Sequence, residues 1–176
     1  MRSTIGSIAA LLVVGTCLAA PCGVAAERFT SAKPTPLKRL KPGKDDGNAV
    51  RFSGSVQLAG QFFMVRTQAN GRAVYRQITF YPDPGSAALL PHPTDEKPVA
   101  ELEFTNREQA GAMLRDLVTL EKPLPRGETG SSGAAAVTIR KYWTAVECDH
   151  RWYLAELVSA ARKDIVVSAR EAHPGC

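Results

Sequence analysis

The chain has 176 residues, with 22 Lys and Arg against 17 Asp and Glu. That is enough length for one modest core, and too little excess charge to indicate nucleic acid on composition alone. It carries no GxGxxG, no Walker lysine loop and no GxSxG elbow, and its three histidines have no zinc-type spacing, which removes the common nucleotide, serine-hydrolase and zinc signatures.

Met1-Arg2 opens the chain with a positive charge, Ile5 to Ala20 is an uncharged apolar run, and Val24-Ala25-Ala26 places small or compact residues before Glu27. Residues 1–26 therefore read as a secretory signal peptide cleaved after Ala26. The run is shorter than the roughly 20 residues of a permanent span and Pro21 interrupts it, so no transmembrane segment is expected after cleavage. The expected location is periplasmic or secreted. Cleavage leaves 150 residues with 21 basic against 17 acidic groups, a net charge of +4. It also removes Cys17 and Cys22, whose neighbours do not form a lipidation box, and leaves Cys148 and Cys176 to pair as one disulfide in an oxidising compartment.

Residues 27–48 hold six basic groups, three acids and Pro34, Pro36 and Pro42 without apolar periodicity. This composition predicts a basic, flexible Pro/Lys-rich tail, either a solvated linker or a tether against an anionic surface. The single globular domain is expected over 49–176 and is nearly neutral.

Within it, Val50, Phe52, Val56 and Leu58 alternate with polar residues, predicting a strand in which Gly54 allows sharp coiling. Phe62 to Val65 continues it, Asn70-Gly71 supplies a turn, and Val74 to Tyr81 forms the second strand. Five prolines between 82 and 98 predict a long surface loop, and Val99 to Phe104 a third strand with Ala100, Leu102 and Phe104 on one face. Asn106 as cap, Gln109 as its capping-box partner and the stripe Ala110, Met113, Leu114, Leu117 and Val118 predict a helix. The Gly127-to-Gly133 stretch reads as a flexible connection. Beyond it, a strand from Ala135, a hairpin turning at Cys148-Asp149-His150 and a strand from Trp152 to Ser159 follow, with Ile165-Val166-Val167 as a short edge.

Three strands, one helix and two strands make a mainly β domain. This order resembles the oligonucleotide/oligosaccharide-binding (OB) fold, a small five-stranded Greek-key barrel, over residues 49–160. The resemblance lies in element order and not in any motif; an α+β sandwich with one helix on an antiparallel sheet is the alternative. Neither fold specifies a function.

The chemistry is sparse. Asp83, His92 and Asp95 share the proline-rich loop, and Asp45-Asp46-Gly47-Asn48 is a fragment of a calcium loop, but neither supplies a full ligand set, so no metal or cofactor is expected. Cys148 beside His150 would suit a thiol nucleophile only without its disulfide partner. The one concentration is Arg140, Lys141, Tyr142 and Trp143, followed across the hairpin by Arg151, Trp152 and Tyr153. Stacking rings and fixed cations suit a binding surface, although strand alternation must send some of the rings into the core. The reading is an exported, non-enzymatic binding domain, such as an inhibitor, an immunity-like partner or an envelope accessory. Its partner is a protein or an anionic envelope polymer, with nucleic acid disfavoured. A small hydrolase using Glu147, Asp149 and Glu156 is the alternative.

Overall fold

The computed structural model describes residues 27–44 and 46–163. The expected signal peptide 1–26, Asp45, the expected edge strand at Ile165-Val166-Val167 and Cys176 lie outside the described residues. The domain is mainly β. Its strands are β1 (Phe29–Thr30), β2 (Lys38–Arg39), β3 (Val50–Ser53), β4 (Ser55–Ala69), β5 (Arg72–Pro82), β6 (His92–Pro93), β7 (Leu102–Phe104), β8 (Leu120–Leu124), β9 (Glu128–Glu147) and β10 (His150–Arg162). A one-turn helix α1 (Pro84–Ala87) follows β5, and the main helix α2 (Arg107–Arg115) stands between β7 and β8. Among the described residues no helix is long and apolar enough to cross a membrane.

Two glycine-permissive geometries set the path. Asn70 and Gly71, both at positive φ, close the two-residue turn between β4 and β5, as the Asn-Gly pair predicts. Gly54, at φ 103°, parts β3 from β4. A Cβ there would meet the Pro36 carbonyl oxygen at 2.5 Å, so the residue is fixed by close approach as well as by conformation.

The pairings return on themselves. β4 lies between β5 and β9, β5 pairs β7, β7 runs parallel to β10, and β10 pairs β9, giving a closed ring of five strands. Inside sit Leu58, Phe62, Met64, Ile78, Phe80, Leu102, Phe104, Val137, Ile139 and Tyr142, each at most 1% exposed. Leu114 of α2 joins them.

Several expectations are corrected. Residues 27–44 do not stand away from the domain: β1 pairs β6, β2 pairs β3, Leu37 is buried, and the Phe29 ring packs edge-on to Phe52 at 5.5 Å. Isolated apolar residues anchor this segment where periodicity is absent. The 82–98 excursion is packed too, with Leu90 and His92 buried and the Ala59 N–H donating to Ser86 Oγ at 2.7 Å. Its register leaves Ala100 exposed and shortens the third strand to Leu102–Phe104. The glycine-rich 127–133 stretch is not a flexible connection; from Glu128 it is the start of the 20-residue β9, flanked by β4 and β8. Small side chains are required there, since a Cβ on Gly133 would meet the Leu117 carbonyl oxygen at 2.5 Å.

In α2, Ala110 and Leu114 face the core as the stripe predicts, while Met113 is 38% exposed. Asn106 makes no side-chain capping bond to the helix. Its amide instead donates to the Leu157 carbonyl at 2.9 Å and accepts the Leu157 N–H at 2.9 Å, so it clamps the backbone of β10.

Candidate functional site

The seven basic and aromatic residues divide between two sides of the β9–β10 pair. Strand alternation sends Trp143 and Trp152 outward and Tyr142 and Tyr153 inward. Cys148 and Asp149, both at positive φ, form the two-residue turn between the strands, with Cys148 exposed at the tip.

The inner group is held by contacts within the domain. Tyr142 is fully buried, donates its hydroxyl to the Pro91 carbonyl at 2.7 Å, and stacks on Tyr153 with ring centroids 6.4 Å apart. Burial holds its phenol well above the usual range. Arg151 has only 11% of its side chain exposed and is paired to both Glu27 and Glu96. Burial works against its charge, but the Glu96 hydrogen bond and the nearby Glu27 outweigh it, and its pKa is raised. Tyr153 donates to Glu96 at 3.0 Å, and its phenol is also pushed up, first by burial. Arg151 is therefore occupied internally.

The outer group lines a groove. At Lys141, φ 48°, β9 bulges: Arg140 pairs Glu156 and Trp143 pairs Leu154, leaving two β9 residues opposite one of β10. Beside this bulge β3 ends at Gly54. The two irregularities open a groove of about 420 Å³ lined by Leu40, Arg51, Phe52, Ser53, Gly54, Arg140, Lys141, Tyr142 and Trp143. Three cationic side chains line it and no carboxylate does. The Arg51 guanidinium lies over the Trp143 ring, 5.2 Å from its centroid. Behind the groove, Glu156 accepts from Arg140 at 3.0 Å and Lys141 at 2.8 Å. These bonds, Lys141 first, hold the Glu156 carboxyl below its ordinary range. Arg51 is paired to Asp46, whose carboxyl is lowered by that bond and by the Gly43 N–H.

A second groove, of about 500 Å³, adjoins across Trp143. Arg76, Gln77, Glu103, Arg107, Ala145, Glu147, Trp152 and Leu154 complete its lining. Trp152 is 36% exposed and meets the His150 ring edge-on at 4.5 Å.

Arg51 and Leu40 were not legible as site residues. Arg51 reads only as an outward position on a strand, and its contact with Trp143 depends on pairing across 92 residues of chain. The acids of the hydrolase alternative are not gathered: Glu147 lines the second groove, Asp149 lies with Glu96, Arg151 and Tyr153, and Glu156 is tied to Arg140 and Lys141. Asp83 pairs with Lys163, and the buried His92 places Nδ1 3.2 Å from the Leu90 carbonyl oxygen. Among the described residues no group of His, Cys, Asp and Glu is arranged to hold a metal ion. No family model, curated protein or solved structure matches the chain.

Proposed function

We propose that this is an exported binding module that takes an anionic partner in the groove of Leu40, Arg51, Arg140, Lys141 and Trp143. The observation that carries the reading is a lining with three cations, one indole and no carboxylate. An anion entering it exchanges with Glu156 for Arg140 and Lys141, while the Trp143 face and Leu40 supply apolar contact. The chemistry is recognition by charge and stacking. We further read the five-strand ring as an OB-like Greek-key barrel; support comes from the strand order and from the parallel β7–β10 closure with α2 preceding the last two long strands. Export is supported by residues 1–26 alone, and with it the Cys148–Cys176 bridge, for which Cys148 is exposed at the hairpin tip.

Retention on a sulfated-polysaccharide column tests the site. Arg140→Ala combined with Lys141→Ala is expected to lower the eluting salt concentration clearly, whereas Lys122→Ala, on β8, leaves it unchanged. Equal elution of wild type and the double variant would overturn the assignment. N-terminal sequencing of the protein recovered outside the cytoplasm is expected to begin at Glu27, and retention of the chain in the cytoplasm would remove export from the reading.

A further inference from the structure

We infer that the ligand is an extended glycan chain bearing acidic groups on only some of its rings, lying across both grooves with Trp143 where they meet. The inference rests on the binding reading above and adds the ligand's shape and chemical class.

Three observations lead to it. The first is continuity. Trp143 lines both grooves, so they form one surface that runs over β3, β9, β10, β7 and β5. Five neighbouring strands at about 4.8 Å spacing give roughly 19 Å of path, more than one sugar ring or one amino acid needs. The second is the change of charge along that path. The first groove holds Arg51, Arg140 and Lys141 without a lining acid, whereas in the second Arg76 and Arg107 face Glu103 and Glu147. Arg107 and Glu103 are already 3.6 Å apart as a pair, and Arg76 is 3.1 Å from Glu128. A polymer with a fixed charge on every unit, such as single-stranded nucleic acid, would set phosphates against Glu103 and Glu147. A chain alternating acidic and neutral rings places its carboxylate in the first groove. In the second it places hydroxyls, which donate to Gln77, Glu103 and Glu147 and accept from the arginines. The third is the aromatic floor. Trp143 pairs Leu154 and Ala145 pairs Trp152, so the two tryptophans are diagonal neighbours on one face, at positions about 7–8 Å apart along the backbone, and both offer aromatic surface to rings of one chain.

The experiment uses hyaluronan oligosaccharides of two, four and six rings, which alternate acidic and neutral units, with oligothymidylate of matched length for comparison. Binding is followed by calorimetry and by tryptophan emission, both tryptophans of the chain lying on this surface. Affinity is expected to rise about tenfold or more from two rings to six. Trp152→Ala is expected to abolish that gain and spare the two-ring affinity; Trp152→Phe retains part of it, and unchanged circular dichroism shows both variants folded. The hexasaccharide is expected to bind more tightly than oligothymidylate. If all lengths bind alike, or Trp152→Ala leaves the gain intact, the second groove is not used and this inference falls while the binding reading stands. Tighter binding of oligothymidylate overturns the glycan class. If no probe binds, or the Arg140→Ala, Lys141→Ala variant binds every probe as wild type does, the binding reading falls with it.

Discussion

Glu156 sets how much positive charge the first groove offers. It is the shared acceptor of Arg140 and Lys141, and the exposure of those two cations makes these bonds modest in stability and large in their effect on the local field. Glu156→Gln is expected to change thermal stability little. It should raise affinity for a sulfated oligosaccharide at neutral pH several-fold, measured by calorimetry. Acid should act the same way. The folded carboxyl titrates below the unfolded one, so its stabilising contribution is complete above the unfolded range and is lost as pH falls through the lower folded value. Over that fall Arg140 and Lys141 are released, and affinity for a sulfate, which stays ionised, should increase. Glu156→Gln removes this pH dependence if Glu156 is its source. A pH dependence unchanged in Glu156→Gln would assign it to another group, Asp46 being the next candidate beside Arg51.

At the level of elements, α2 offers the sharpest contrast. Leu114 is fully buried and Met113 is 38% exposed one position away, although one apolar stripe contains both. Leu114→Ala is expected to cost about 2–5 kcal/mol in denaturant unfolding and Met113→Ala well under that. Similar small losses at both would mean the helix is not seated. Local patterns made much of the fold legible: the alternation at Val50–Leu58, the Asn70-Gly71 turn and the α2 period each report a face or a turn chosen by nearest neighbours. What was not legible depends on partners distant in sequence. The Glu128–Gly133 start of β9 carries no apolar alternation because β4 and β8 crowd it from both sides, and glycine and serine are what fit. Asn106 looks like a helix cap in sequence, and only the position of Leu157 turns its amide toward β10. In the site, alternation guaranteed that Tyr142 and Trp143 would part company; which went inward was decided by the Lys141 bulge and the Pro91 carbonyl that receives the Tyr142 hydroxyl.

For the molecule as a whole, the segment 27–44 acts as a strap. Phe29 lies beneath both Arg39 and Arg151, 5.2 and 5.9 Å from their guanidinium carbons, and packs on Phe52, while Arg39 donates to the Glu27 carbonyl at 2.7 Å. Phe29→Ala is expected to lower stability by about 1–3 kcal/mol, less than a fully enclosed ring would. It should also expose the β1–β6 pair to limited proteolysis without altering affinity in the groove; an unchanged melting temperature would show the strap to be ornamental. The pairing of Glu27 with Arg151 spans 124 positions, and β10 is the strand that completes the ring. A nascent chain therefore presents its anchor long before the residue that receives it exists. Until β10 emerges, β7 and β9 each lack a neighbour and Phe29 lacks part of its cover, so the protein is committed to finishing late. Its vulnerable interval lasts until the last strand is whole, and any escort that holds the chain open serves it best by releasing it only after residue 162.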